Sequence, residues 1–563
     1  MTPATQGYYY TKDICSDGAG GIIVTWHEGW TYNTDIYAQR MSSEGERFWG
    51  DNGIAVCTAN NEQEKASITS NGEGGAFIVW EDNRDGGTNI YMSNFDFAGN
   101  ALWSIDGIPI CTFNNDQKNP QIISDGEDGA YVVWEDCRDN QGVEDIYAQR
   151  IDFNGNIYWE NGGVPVCSAE DVQTNFSIES FGNSGFAAVW EDMRNEEFPF
   201  RDIYSQFISN TGQQMWDLNG IPIAEVEYGQ INPLVLNLPD NEFLCFWEDH
   251  RKGSSDIYTQ KANEQGNIQF QVNGDVVVEG LFGKSYYPFL LNLPDDKFLA
   301  VWADHRHINH NAPPVFFQIF DIDGNCLLAE DGVPVVEIGS GKTPGRPEAI
   351  LTSDEFAIIV WRDYDYYSDS QVIAQKIDME GNLLWGPAGI RISPTDYDQE
   401  DPYICTDEEG GAFIAFSGWN EELDFVAYVQ RIGSDGSLIW GEEALDVFSD
   451  GSAEYTTVGI VPDGSGNAIV VSKVGDEDDI DIKAARVLAS GDTAWTMLIC
   501  DSTQYSWDIK TIPSQYGGAI VAWIDDRNGS DYDIYAQKIN NLGIALWSEN
   551  GLPVITMDGD QKT

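Results

Sequence analysis

At 563 residues, with 42% hydrophobic and 12% aromatic side chains, the chain has ample material for a packed core. Its 29 basic residues against 93 acidic ones leave a net charge of −64, which repels nucleic acid and anionic head groups and excludes both as partners. No apolar run approaches the roughly 18 residues that span a bilayer, so no membrane insertion is expected.

The opening "MTPATQGYYY" lacks the charged and apolar regions of a signal peptide, so the chain reads as cytosolic or as having lost a leader. Nine cysteines cannot all pair within the chain, and Cys57, Cys111 and Cys167 recur at equivalent places. Buried free thiols are expected, and they leave the compartment open.

A tryptophan heads each of a series of similar segments, at Trp26, Trp80, Trp134, Trp190, Trp247, Trp302, Trp361 and Trp523, with Phe416 and Ser472 standing in for two members. Before each lies a turn and an apolar run, as in "DGEDGAYVVW"; after most comes "DIYAQR" or a relative, then a turn and a second aromatic, as in "DFNGNIYW". Four short runs rich in Val, Ile, Tyr, Phe and Trp, parted by Gly, Asn and Asp, predict four antiparallel strands per unit. We label them A to D. In the third unit A is expected near 121–124, B over 130–136, C over 145–152 and D over 157–167. Strand B is apolar at nearly every position, which predicts cover on both faces. Stacked four-stranded sheets of this period define an all-β, β-propeller fold class.

Ten units follow, over 8–61, 62–116, 117–172, 173–229, 230–284, 285–343, 344–398, 399–453, 454–505 and 506–563. With no linker marking a boundary, the expected architecture is a single ten-bladed propeller with no strand exchanged between the first and last blades. Two smaller rings are the alternative.

Blade one departs from the shared motif with "WHEGWTYNTD", placing Trp30 and Tyr32 in an expected B–C loop. Blades two to five keep Trp-Glu-Asp-x-Arg, and blade three reads "VVWEDCRDNQGVEDIYAQRID". Recurrence of Arg84, Arg138, Arg194, Arg251, Arg306 and Arg527 points to structure, an Arg forking onto carboxylates at either end of the B–C hairpin. Tyr and Gln of "DIYAQ" are expected to bond to the next blade. Blade six carries "ADHRHINHNAPP", and all five histidines, His27, His250, His305, His307 and His310, fall in expected B–C loops without a defined metal spacing. Blade seven adds Tyr364, Tyr366 and Tyr367, and blade eight Trp419 in "FSGWNEELD". Blade nine offers "DEDDID" and blade ten "DDRNGSDYD", whose Asp525, Asp526, Asp531 and Asp533 form a candidate calcium site.

The run "VWEDCRDNQGVEDIYAQRIDFNGNIYWENGGVPV" resembles the repeats of large secreted or surface-anchored bacterial proteins, many of which carry C-terminal sorting domains of the type IX secretion kind. That resemblance implies an exported, extracellular or cell-surface protein. The C–D turns "DFNGNIYW" and "GSDGSLIW" are similar to the Asp-box of sialidases and of sortilin, whose family includes a ten-bladed propeller.

The function expected is a non-enzymatic binding or structural module for a glycan or protein ligand at the cell surface. The ligand-binding candidates are Trp30, Tyr32, Tyr364, Tyr366, Tyr367 and Trp419, since exposed aromatic faces suit sugars and apolar partners. No catalytic residue is assigned and calcium is the one cofactor considered. The competing reading is a sialidase- or lyase-like enzyme with convergent carboxylates or arginines in a pocket on the B–C face.

Overall fold

The computed structural model describes residues 8–30, 33–42, 46–50, 52–139, 142–195, 200–238, 242–251, 253, 256–278, 286–295, 297–303, 315–321, 325–329, 332–336, 343–365, 368–393, 397–420, 424–448, 455–476, 479–501, 506–514, 517–525, 527, 533–555 and 560–562. They form ten antiparallel sheets, each with its strands in sequential order A, B, C, D, as the all-β propeller-blade reading requires. The strands of the ten blades span 8–57, 63–111, 117–167, 173–224, 230–278, 286–334, 343–391, 399–446, 455–500 and 506–555. The chain divides into two compact units, Met1–Val277 with Met557–Thr563, and Val278–Thr556.

In blade three the strands are Gln117–Ser124, Gly129–Asp136, Asp145–Asp152 and Val164–Cys167. Strand A thus begins earlier than the apolar pattern indicates, because a bulge at Asn119 and Pro120 restores pairing of Gln117 and Lys118 with Asp136 and Glu135. Strand D is shorter than expected. Ile157 makes only an isolated bridge to Ile151, and positive φ at Gly162 and Gly163 turns the chain before pairing resumes.

Strand B of blade three is buried at every position. The hydrophobic clusters show why: each is assembled from two successive blades rather than within one sheet. Val132 and Trp134 of blade three pack with Phe77 and Ile90 of blade two, while Tyr131 and Val133 join Phe186 and Trp190 of blade four. The motif tryptophans Trp80, Trp134 and Trp190 are wholly buried. Fully burying such a side chain stabilises by about 1.5–3 kcal/mol or more.

One feature of the termini differs from expectation. Asp560–Lys562 pairs in parallel with Tyr8–Tyr10, adding a fifth strand to blade one beyond its strand A. The edge of blade one is therefore covered by backbone hydrogen bonding, not by blade packing alone.

Candidate functional site

The strands A of blades two to five and eight begin "QEKA", "QKNP", "QTNF", "QINP" and "QEDP". The third residue of each is left-handed, with φ +50 at Lys65, +52 at Asn119, +49 at Asn175, +56 at Asn232 and +45 at Asp401. Asn and Asp enter this region at little cost, which suits them to a bulge. The bulge turns their side chains away from the sheet, and Asn119, Asn175, Asn232 and Asp401 are all exposed.

The Glu of Trp-Glu-Asp meets this bulge. Glu81 accepts the backbone N–H of Asn119 in the next blade at 2.7 Å. Glu135 accepts the N–H of Asn175 at 2.9 Å, the Thr174 hydroxyl at 2.6 Å and the Asn119 carboxamide at 2.6 Å. Glu191 repeats the pattern with the N–H of Asn232 at 2.9 Å. In blade eight, where the motif has become Phe-Ser-Gly, the Ser417 hydroxyl accepts the N–H of Thr457 at 2.7 Å and keeps the link.

These strands enclose a groove of about 570 Å³ in the first unit, reaching from Asp13 of blade one to Ile178 of blade four. Its polar lining comprises Lys65, Ser67, Asn119, Gln121, Thr174 and Asn175, over an apolar floor that includes the buried Ile122, Phe176 and Ile178. The carboxylates of the lining are engaged. Asp13 accepts from the Ser67 hydroxyl at 2.8 Å and from the N–H groups of Ile68 and Ile14 at 3.0 and 2.8 Å, and Glu135 is held as described above. What the groove offers a ligand is carboxamides and hydroxyls in rows, above apolar surface.

The Asp and Arg of the motif lie elsewhere and serve packing. Asp136 is fully buried and accepts the Trp134 indole N–H at 2.8 Å, the Arg138 N–H at 2.8 Å and its guanidinium at 2.6 Å. Arg138 also donates to the Gly162 carbonyl at 2.6 Å, reaches the Cys111 sulfur of the preceding blade at 3.4 Å, and lies 3.7 Å from the centroid of the Tyr147 ring. The structural reading of this arginine holds, but its partners differ: it forks onto the strand B carboxylate and a carbonyl, not onto both ends of the hairpin. The Asp145 side chain stands buried beyond it, its carboxyl pushed up to about 7 by burial and then by Asp139 and Asp136. Burial likewise pushes the Cys57, Cys111 and Cys167 thiols up to about 12, and none of the nine cysteines is in a disulfide.

Gln149 of "DIYAQ" does not reach the next blade. Its amide donates to the Glu160 carbonyl at 2.8 Å and its oxygen accepts the Trp159 N–H at 3.1 Å, fixing the blade's own C–D hairpin. Trp159 then bridges the blades, donating its indole N–H to the Asn210 carbonyl at 3.1 Å. It packs on Gly212, where φ is +80 and an added Cβ would lie 3.0 Å from the ring, close enough that the ring would have to give way.

Of the candidate ligand residues, Trp419 ends strand B of blade eight instead of lying in a loop; it is 37% exposed, and its ring stands edge-on to Phe425 at 5.1 Å. Trp30 likewise ends strand B of blade one, paired with Asn33, because a tight hairpin extends the ladder past the motif; its side chain lies outside the described residues. So do Tyr32, Tyr366 and Tyr367, and the side chain of Tyr364. Trp419 is the member of the set whose side chain is described.

In the candidate calcium set, Asp533 is buried at the start of strand C, with its backbone opposite Asp525. The Asp525 side chain, Asp526 and Asp531 lie outside the described residues; among the described residues no group of three His, Cys, Asp or Glu is placed to hold a metal ion. His27 lies within strand B of blade one, buried, rather than in a loop; His250 follows strand B of blade five, and His305, His307 and His310 lie outside the described residues.

The groove itself was not anticipated. Its signal was the Asn or Asp recurring just before Pro in "KNPQI", "INPLV" and "EDPYI".

No family model and no curated protein matches the chain. Among solved structures it is similar to a polysaccharide lyase of the PL25 ulvan lyase family, at 11% identity over 68% of this chain and 93% of that one, with a TM-score of 0.29. It is also similar to an alpha-L-arabinanase of Penicillium chrysogenum, at 16% identity over 58% and 92% with a TM-score of 0.31. A eukaryotic initiation factor aligns at 10% identity over 76% and 86%, with a TM-score of 0.35. At such overlap these likenesses carry no substrate across.

Proposed function

We propose that this chain is a non-enzymatic binding module of the bacterial cell surface, and that its ligand is a glycan held in the strand A groove of blades one to four. The observation that carries this is the lining: the Asn119 and Asn175 carboxamides stand exposed over apolar floor, beside the half-buried Ser67 and Thr174 hydroxyls, while Asp13 and Glu135 are occupied by neighbouring donors. Sugars present the complement, hydroxyls that both donate and accept and apolar C–H faces. Glycoside cleavage uses a pair of carboxyl groups about 5–10 Å apart, whereas both groove carboxylates are taken up by hydrogen bonds within the fold. Export is supported by the resemblance of the repeats to those of secreted surface proteins. Trp419 with Phe425 supplies a further aromatic contact in the second unit.

A glycan array followed by calorimetric titration tests the reading, using the paired variant Asn119→Gly and Asn175→Gly. Glycine keeps the left-handed backbone and its N–H bond to the glutamate while removing the carboxamide. Glycan binding measured well below the melting temperature should fall at least tenfold, while loss of the carboxamide bonds to Glu135 and Glu191 appears separately as a lowered melting temperature. Unaltered affinity removes the groove as the site. Release of reducing ends from a bound glycan establishes the enzyme instead, and capture of proteins but no glycan replaces the ligand class.

A further inference from the structure

Lys65 is the one cation among the described residues that line the groove. It occupies the bulge position that Asn fills in the next three blades, at φ +50. A left-handed conformation costs a side chain such as lysine about 1–2 kcal/mol, whereas Asn adopts it readily. Backbone geometry therefore does not select this lysine, and residues that break a local rule gather at functional sites.

The ammonium is already compensated. It lies 3.1 Å from the Glu81 carboxylate and donates to the Asn119 carboxamide oxygen at 2.8 Å. An anionic ligand taken up by its remaining N–H would bring a second negative charge beside Glu81. The other charged lining groups, Asp13 and Glu135, are both acids, and Glu64 precedes Lys65 on the same strand, its carboxyl raised above the ordinary range by burial and then by Glu62 and Glu81. Beyond the groove the chain carries a net charge of −64. An acid arriving here meets repulsion at short and long range, with no uncommitted cation to receive it.

We infer that the groove selects by charge, admitting uncharged glycans and excluding those bearing uronate or sulfate, and that Lys65 is a specificity-determining residue that donates to sugar hydroxyls while Glu81 cancels its charge. This rests on the glycan-binding reading above. Ammonium and carboxamide donors reach neutral hydroxyls without giving up their partners, because each group has more than one hydrogen-bonding site.

The test titrates the full chain against neutral arabinan, galactan and glucan, and against polygalacturonate and a sulfated galactan, at about 20 mM and about 300 mM salt. A neutral glycan should bind with an affinity that changes less than about twofold between the two salts, and the acidic polymers should not bind at the lower one. Glu81→Gln keeps an acceptor for the Asn119 N–H but exposes the lysine charge. It should raise acidic-glycan affinity at least tenfold relative to that for the neutral glycan. Lys65→Met should weaken the neutral glycan severalfold. Tighter binding of an acidic polymer at low salt by the unaltered chain overturns the charge selection alone, as does an E81Q variant that folds and gains no acidic binding. Retention of neither class overturns the glycan reading itself.

Discussion

Glu135 and Asn175 belong to successive blades, and the carboxylate of the first accepts the backbone N–H of the second at 2.9 Å. The same carboxylate takes the hydroxyl of Thr174 and the carboxamide of Asn119, so one buried side chain joins strand B of its own blade to strands A of two blades. Since the partners recur at Glu81 and Glu191, blades two to five are riveted along their strands A by charge-assisted hydrogen bonds.

Glu135→Ala should therefore destabilise the protein by about 1–3 kcal/mol, the cost of leaving three partly buried donors without their acceptor. Chemical denaturation measures this. A loss below about 0.5 kcal/mol would show that water replaces the carboxylate and that the link is incidental.

Arg138→Met should cost a similar or larger amount, about 3–5 kcal/mol, because Asp136 stays buried without its guanidinium. Ligand affinity should be unchanged when measured well below the melting temperature. Normal stability with lost binding would reassign the motif arginine to function.

Stability should decline as pH rises from about 4 to about 7. Burial raises the folded carboxyls of Asp145 to about 7 and of Asp35 to about 6, above the value near 3.9 of an unfolded chain. Folding thus favours the protonated form, and its contribution is complete below pH 4 and lost as these groups ionise. Asp145→Asn should flatten much of that slope in a thermal melt series. The hydrogen-bonded turn carboxylates Asp96 and Asp152, held below the ordinary range, act in the opposite sense and only at more acidic pH.

Removing residues 560–562 should expose the edge of strand A at Tyr8–Tyr10. Three residue pairs of parallel ladder are worth about 1–2 kcal/mol. Hydrogen exchange at Tyr9 and Tyr10 should accelerate markedly while strand B of blade three keeps its protection. Equal exchange in both forms would mean that the added strand does not stay docked.

Gly212→Ala should destabilise by about 1–3 kcal/mol, through both a positive φ and contact with Trp159 of the preceding blade. Pairing it with Trp159→Leu should recover part of the loss in a double-mutant cycle.

The repeat, the four strands per blade and the buried tryptophans were legible in the sequence, because each depends on local alternation and turn chemistry within a few residues. Trp134 is apolar among apolar neighbours, and Asp152 with Gly155 is a turn wherever the chain goes. The partners across blades were not legible. Glu135 and Asn175 stand 40 positions apart and Trp159 and Asn210 stand 51 apart, and nothing in either local pattern says which atoms meet. That was decided by the stacking of sheets, which brings a left-handed bulge in one blade under a carboxylate in the last. The same stacking turned Asn119 and Asn175 outward over Ile122 and Phe176, and so made a groove from residues that in sequence look like the start of a strand.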